Sequence, residues 1–199
     1  MSLMLSRVAL SFSLLLSVGC AVQQPPDAPA LSRPSALSPS AGIGASHIEV
    51  AFSPEAGSEA LVVKVIASAR ESIRLAGYSF TSPAVVKALI DAKKRGVDVR
   101  VLIDDRGNRG AASQAAQRLV KGAGIALRVI SIYAIHHDKY IVVDGTTTET
   151  GSFNYSQAAA KANSENVLVV WNNKIVAAQY LAHWESRWVN GIEVESGTK

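Results

Sequence analysis

The chain has 199 residues, of which 48% are hydrophobic and 18% are charged. This length suits one domain with a sizeable core and excludes two full-sized domains, and the composition is typical of a soluble globular protein. The formal net charge of +4 would favour binding to a phosphate polymer. An ordinary, slightly basic surface gives the same value, so the charge alone does not indicate such a partner.

The first twenty residues are predicted to be a signal peptide. Arg7 precedes an apolar stretch, residues 8–18, that is too short to span a membrane comfortably. The run that ends at Cys20 resembles a bacterial lipoprotein signal, in which the cysteine is lipidated, although Ser17 stands where that pattern usually has leucine. An ordinary signal peptide is the alternative. Both predict export, either to the periplasm or as a lipoprotein attached to the membrane through Cys20.

Residues 21–46 contain five of the seven prolines and show no apolar periodicity. This composition predicts an extended or disordered tether. The folded domain is therefore expected over residues 47–199. Because Cys20 is the only cysteine, an internal disulfide is excluded and the fold must depend on packing.

From residue 47 onwards, strand and helix patterns alternate. In chain order we predict strand 47–52, helix 58–72, strand 73–80, helix 83–95, strand 97–103, helix 111–121 and strand 125–132. Ser82 followed by Pro83 is a helix-start signal, and Gly96 ends that helix. The alternation predicts an α/β fold with a mostly parallel sheet and helices packed on both faces.

A polar loop, residues 104–110, follows the third predicted strand. Ligands of such sheets bind beyond the carboxyl ends of the strands. Arg106 and Arg109 are therefore candidates to face a polyanion, the alternative being solvated loop arginines.

A hairpin is predicted over residues 137–150, because Asp144-Gly145 is a turn signal between two β-prone segments. His137 and Lys139 are two residues apart and share a strand face, and so do Ser152 and Asn154. A two-residue turn sets position 137 opposite 152, and a slip by one residue sets 137 opposite 154. Either register brings an imidazole, an ammonium, a hydroxyl and an amide to one end of the hairpin.

These side chains suit the cleavage of a phosphodiester. A neutral imidazole such as that of His137 can attack phosphorus and form a covalent intermediate. Lys139 supplies a point charge for phosphate oxygens, and Ser152 and Asn154 offer neutral donors. A carboxylate such as that of Glu165 could orient the imidazole. This chemistry needs no metal or other cofactor.

The pattern His137-x-Lys139-x4-Asp144-x6-Gly151-Ser152-x-Asn154 matches the HKD signature of the phospholipase D superfamily without a gap. The wider run from 148 to 170 resembles the small bacterial endonucleases of that superfamily that have a single motif. The similarity covers residues 47–190.

This resemblance implies a mixed sheet flanked by helices and a phosphohistidine on His137. Glu165 would be the acidic partner of that histidine, and Asp144 a structural or charge-balancing member of the catalytic set. The phosphate-binding residues would be Lys139, Ser152 and Asn154. The substrate would be a nucleic acid, DNA or RNA. A phospholipid phosphodiesterase or phosphatidyltransferase, and a non-enzymatic binder of polyanions, are the alternatives.

Two-step chemistry needs a second histidine as acid and then as base, and this chain has one motif. We therefore expect a symmetric homodimer whose two His137 side chains share one active site. The other histidines are expected to be structural, with His136 on the opposite strand face and His183 on a helix over residues 174–189. Trp184 and Trp188 of that helix are expected to serve packing.

Overall fold

The structure is a computed structural model that describes residues 45–194. The predicted signal peptide, Cys20 and nearly all of the predicted tether lie outside these residues, so export and lipidation stay predictions. None of the described helices has the length and apolar character needed to cross a membrane.

The described residues form one mixed sheet with helices packed on it. The elements in chain order are β1 (His47–Ser53), α1 (Ser58–Ser68), β2 (Ser72–Gly77), α2 (Pro83–Lys94), β3 (Asp98–Asp104), a 3₁₀ helix (Arg106–Asn108), α3 (Ala111–Gly122), β4 (Ala126–Ile130), β5 (Lys139–Val143), β6 (Thr147–Gly151), α4 (Gln157–Lys161), β7 (Glu165–Trp171), α5 (Lys174–Trp188) and β8 (Ile192–Glu193). The strand order is β1-β7-β6-β5-β2-β3-β4-β8.

The prediction of a mixed sheet is confirmed, but the prediction that it is mostly parallel is wrong. In the described part of the chain, β2–β3 and β3–β4 are the parallel neighbours, and the other five pairs are antiparallel. Parallel pairing requires a long crossover, and helices α2 and α3 provide it between β2 and β3 and between β3 and β4. The chain returns from β5 to β6 through a three-residue loop, which forces that pair to be antiparallel.

Helices cover both faces of the sheet, as predicted. Helices α1, α2 and α3 pack on one face through a core that includes Leu75 and Val101. Helix α5 packs on the other face, where Ala76 and Trp184 belong to a second, smaller core. Leu75 and Ala76 are consecutive, so they point to opposite faces of the central strand β2. The start of α2 is also as predicted, because the Ser82 side chain accepts a hydrogen bond from the backbone N–H of Val85 (3.2 Å).

The predicted hairpin exists, but neither predicted register is correct. Strand β5 begins at Lys139, so His137 precedes it, and Val143 pairs with Thr147 across a three-residue loop. Asp144 and Gly145 both have positive φ (51° and 60°), and Thr146 is the extra residue before the ladder resumes. The observed pairing therefore lies one residue from each of the two predicted ones. Strands β7 and β8 and helix α4 were not predicted.

Candidate active site

His137 is exposed and lies in the extended segment just before β5. Because β5 runs antiparallel to β2, with Lys139 opposite Gly77, this segment meets the carboxyl end of β2. Tyr78 follows β2 there, and its ring centroid lies 4.9 Å from that of His137 in a tilted contact. The imidazole is therefore supported on one side by an aromatic ring and is open to solvent.

Lys139 is buried, with 8% of its surface exposed, at the start of β5. Its ammonium donates to the backbone carbonyl of His137 (2.9 Å) and lies 5.3 Å from the centroid of the Tyr78 ring. Burial lowers the pKa of Lys139, while the charges of Asp138 and Glu165 oppose that shift. The result is a fixed cation beside the imidazole, where it can bind a phosphate oxygen.

Ser152 and Glu165 join the end of β6 to the start of β7. The Ser152 hydroxyl donates to the Glu165 carboxylate (2.5 Å) and accepts from the backbone N–H of Asn166 (3.1 Å). The other Glu165 oxygen accepts from Asn163 (2.9 Å). Within residues 45–194, no hydrogen bond joins Glu165 to His137, so the expected orientation of the imidazole by this carboxylate stays a prediction.

The close approach of β6 and β7 requires glycine at position 151. A Cβ on Gly151 would lie 2.2 Å from the carbonyl oxygen of Asn166, and φ is 155°, which side chains rarely allow. The motif glycine therefore serves the backbone approach that brings Ser152 to Glu165.

Asn154 is half-buried shortly after β6. Its Oδ1 is buried and has no hydrogen-bond partner among the described residues. A buried polar atom without a partner is costly, so this acceptor oxygen is a candidate to bind a donor group of a ligand.

Asp144 lies at the other end of β5, so the structure does not bring it to His137. Its carboxylate accepts three backbone N–H groups, those of Arg70 (2.9 Å), Glu71 (2.9 Å) and Ser72 (2.7 Å). This arrangement fixes the hairpin loop against the start of β2. These contacts indicate that Asp144 has a structural role.

A cavity of about 440 Å³ opens beside His137. It is lined by His137, Asp138, Lys139, Tyr140, Thr150, Gly151, Gln179, Tyr180 and His183. His183 comes from α5, and its Nδ1 lies 2.8 Å from the Tyr140 hydroxyl. The sequence analysis did not identify Tyr78 and Tyr140 as residues of this site, nor did it place His183 here. The alternation of strands and helices does not show which face of α5 is turned towards the motif.

The polar loop after β3 holds the segment that precedes β5 and the residue that follows β2. Buried Asp104 accepts from the backbone N–H of His136 (2.8 Å), and the Asn108 amide donates to the backbone carbonyl of Tyr78 (2.6 Å). Arg106 and Arg109 are exposed at this loop, and Arg109 pairs with Asp105 over 2.5 Å.

His136 and Trp184 have the structural places that were predicted for them. His136 is buried, and its Nδ1 lies 3.2 Å from the Asp138 carboxylate. Burial lowers the pKa of His136, against the charges of Asp138 and Asp104. Trp184 is 1% exposed, donates to the Leu75 carbonyl (2.9 Å) and stacks on Trp188.

Residues 62–188, more than half of the chain, match the family described as cardiolipin synthase, PLD-like domain. The phospholipase D of Rickettsia prowazekii (strain Madrid E) is 34% identical over 142 residues, which are 71% of this chain and 68% of that protein. The chain belongs to the phospholipase D superfamily. As a member of this superfamily it is a phosphodiester hydrolase.

Relatives within the superfamily carry different names. The mitochondrial cardiolipin hydrolase of Xenopus laevis is 34% identical over 142 residues, covering 71% of this chain and 63% of that protein. The crystal structure of Nuc from Salmonella typhimurium, a phospholipase D family member, matches with a TM-score of 0.76 and 49% identity, over 76% of this chain and 100% of that one. NucT from Helicobacter pylori, at 22% identity and a TM-score of 0.66 over 75% of this chain and 100% of that one, shares the fold.

Proposed function

We propose that this phosphodiester hydrolase is a metal-independent endonuclease that cleaves DNA, or RNA, through a covalent phosphohistidine on His137. The observation that carries the proposal is the pairing of an exposed imidazole with a buried ammonium, that of Lys139, at the mouth of an open cavity. The imidazole is free to reach phosphorus, and the ammonium is fixed where a phosphate oxygen would lie.

The chemistry proceeds in two steps. A ring nitrogen of His137 attacks phosphorus, a P–N bond forms, and the P–O bond to the leaving sugar breaks. Lys139 and the amide N–H group of Asn154 donate to the non-bridging oxygens, where charge develops. Water then cleaves the P–N bond and releases the phosphate end, which frees His137.

The leaving oxygen needs a proton, and the attacking water needs a base. His137 cannot serve as nucleophile and acid at once, and the motif occurs once in this chain. A homodimer in which the partner supplies its own His137 would provide the second imidazole. An isolated mixed dimer of unaltered and His137→Ala subunits should therefore lose most of its activity, and full activity would refute the shared site.

The nuclease assignment is favoured by the relationship to Nuc. Identity is 49% over the whole of that chain, against 34% to the phospholipase D and cardiolipin hydrolase relatives. The single motif and small size also resemble the bacterial endonucleases of the superfamily. The net charge of +4 favours a polyanionic substrate.

A phospholipid phosphodiesterase is the second candidate, and one observation favours it. Ile48, Val50 and Phe52 lie on the outward face of edge strand β1 and are 65%, 54% and 53% exposed. An apolar strip of this kind could contact a lipid surface.

Nicking of supercoiled plasmid DNA in EDTA tests the proposal. The unaltered protein should nick the plasmid, and His137→Ala should abolish nicking, while His47→Ala, which changes an exposed histidine at the start of β1, should retain it. The same proteins should be assayed on vesicles of cardiolipin and phosphatidylglycerol. Turnover of lipid without any nicking would favour the second candidate, and nicking only after a metal is added would contradict the mechanism.

A further inference from the structure

A second, smaller cavity of about 160 Å³ adjoins the catalytic one. It is lined by Tyr133, Ile135, His136, His137, Asp138, His183 and Arg187. Three of these residues, His137, Asp138 and His183, also line the catalytic cavity. The two cavities are therefore neighbours on either side of these three residues, and His137 borders both.

Arg187 provides a fixed cation in this smaller cavity. It lies in the last turn of α5, and its guanidinium carbon is 5.2 Å from the centroid of the Tyr133 ring. The hydrogen bond of its side chain goes to the neutral hydroxyl of Ser186 (3.0 Å), and no carboxylate pairs with it in the part of the chain that the structure describes. Stacking on an aromatic ring limits the motion of a guanidinium but leaves its N–H donors available.

The anionic group of the cavity is already engaged. The Asp138 carboxylate lies 3.2 Å from Nδ1 of His136. His183 lies between the two cavities, and its ring is held by the Tyr140 hydroxyl through Nδ1. An incoming anion would meet Arg187 and the His183 ring, and it would have to lie on their side of the cavity, away from the Asp138 carboxylate.

We propose that Arg187 and His183 form a subsite for the phosphate that flanks the scissile phosphodiester in a nucleic acid strand. This inference rests on the proposed nuclease function and deepens it, because it makes the preferred substrate a strand with at least two successive phosphates. Successive phosphates are neighbours along one strand, so two adjacent cavities that both border His137 suit them. A contact between a guanidinium and a phosphate is a charge-assisted hydrogen bond. Its strength corresponds to a kcat/KM about tenfold higher for a substrate with a flanking phosphate than for one without.

Two thymidine oligonucleotides test the subsite. In the first, all linkages but one are neutral methylphosphonates, so one phosphodiester remains. In the second, two adjacent phosphodiesters remain. The unaltered protein should prefer the substrate with two adjacent phosphodiesters by about tenfold in kcat/KM, beyond the factor of two that two cleavable linkages give. Arg187→Gln should reduce this preference to about twofold. Arg118→Gln, which removes the same charge from an exposed position on α3, should retain it.

Bis(4-nitrophenyl) phosphate, which has one phosphodiester, serves as the reference substrate. Its hydrolysis should be unchanged in both variants, and Arg187→Lys should keep part of the oligonucleotide preference. The subsite is overturned, and the nuclease function retained, if the unaltered protein prefers the oligonucleotide with two phosphodiesters by no more than the twofold that its two cleavable linkages give, a comparison that needs no variant. It is also overturned if Arg187→Gln keeps the full preference. If the unaltered protein hydrolyses the reference substrate and no oligonucleotide, both proposals fail.

Discussion

The Ser152 hydroxyl donates to the Glu165 carboxylate over 2.5 Å and accepts from the backbone N–H of Asn166, so one side chain joins two strands at the active site. Glu165 is close enough to Lys139 to favour its charged form. We expect Ser152→Ala to release Glu165 and lower kcat/KM on DNA about tenfold, with a loss of stability of about 1 kcal/mol.

Ser68→Ala is the matched control, because Ser68 is exposed at the end of α1 and its hydroxyl bonds only the Val65 carbonyl. Plasmid nicking rates and urea unfolding of both variants provide the comparison. A folded Ser152→Ala protein with unchanged activity would show that this hydroxyl serves the β6–β7 connection alone.

Asp144 lies at the far end of β5 and caps three backbone N–H groups, those of residues 70–72. We expect Asp144→Ala to lower the free energy of unfolding by about 2 kcal/mol, because three donors lose a charged acceptor. Asp144→Asn should lose less, since asparagine tolerates the positive φ and keeps one acceptor oxygen. Nicking by the folded fraction should stay close to normal in both.

His137→Ala should show the opposite behaviour, with unfolding by urea unchanged and nicking abolished. The two variants therefore separate a structural part from a catalytic one within a single motif. An Asp144→Ala protein of normal stability that does not nick DNA would contradict the structural assignment.

The sequence predicted the family of the protein better than the geometry of its candidate site. His137, Lys139, Ser152 and Asn154 are close in sequence to one hairpin, so all four lie near the same end of β5 and β6, although a shift by one residue changes the face that a side chain occupies. The register itself depends on Asp144, whose positive φ and three long-range hydrogen bonds make the loop one residue longer than a two-residue turn. A single sequence shows the turn signal but not the partner segment, residues 70–72.

Long-range pairing explains the remaining differences. Strand β7 lies between β6, which precedes it in the chain, and β1, which is more than 100 residues away, and the pairing with β1 helps to decide which groups surround Glu165. The predicted helix over 174–189 is correct to within one residue. The face that it turns towards the motif, with His183 and Arg187, depends on packing of Trp184 against the sheet, and periodicity alone did not identify it.

Glu149 is fully buried in β6, where Tyr155 donates to its Oε2 (2.9 Å). Burial raises the pKa of Glu149 from 4.5 to about 8, against the effect of that hydrogen bond. The native state therefore holds one more proton than the unfolded state between these values. The free energy of unfolding should fall as pH rises through this window, by up to about 1.4 kcal/mol per pH unit.

Glu149→Gln should flatten this dependence, and melting temperatures between pH 5 and 8 provide the measurement. Glu185→Gln, which changes an exposed carboxylate on α5, should reproduce the profile of the unaltered protein. If Glu149→Gln left the slope unchanged, the buried carboxyl would not be its source.

Lys139 should set the alkaline limit of activity. Its ammonium must be charged to bind a phosphate oxygen, and burial lowers its pKa below the ordinary 10.5, while Asp138 and Glu165 oppose the shift. Activity on bis(4-nitrophenyl) phosphate should therefore fall at a pH below 10.5, as the ammonium loses its proton.

Glu165→Gln removes one of the two charges that favour the protonated form of Lys139, so it should move this fall in activity to still lower pH. A shift in the pH at which activity falls indicates an effect on the Lys139 charge, whereas a lower maximal rate without that shift indicates that catalytic groups have lost their positions. If activity fell at the same pH in Glu165→Gln as in the unaltered protein, the Glu165 charge would not act on Lys139.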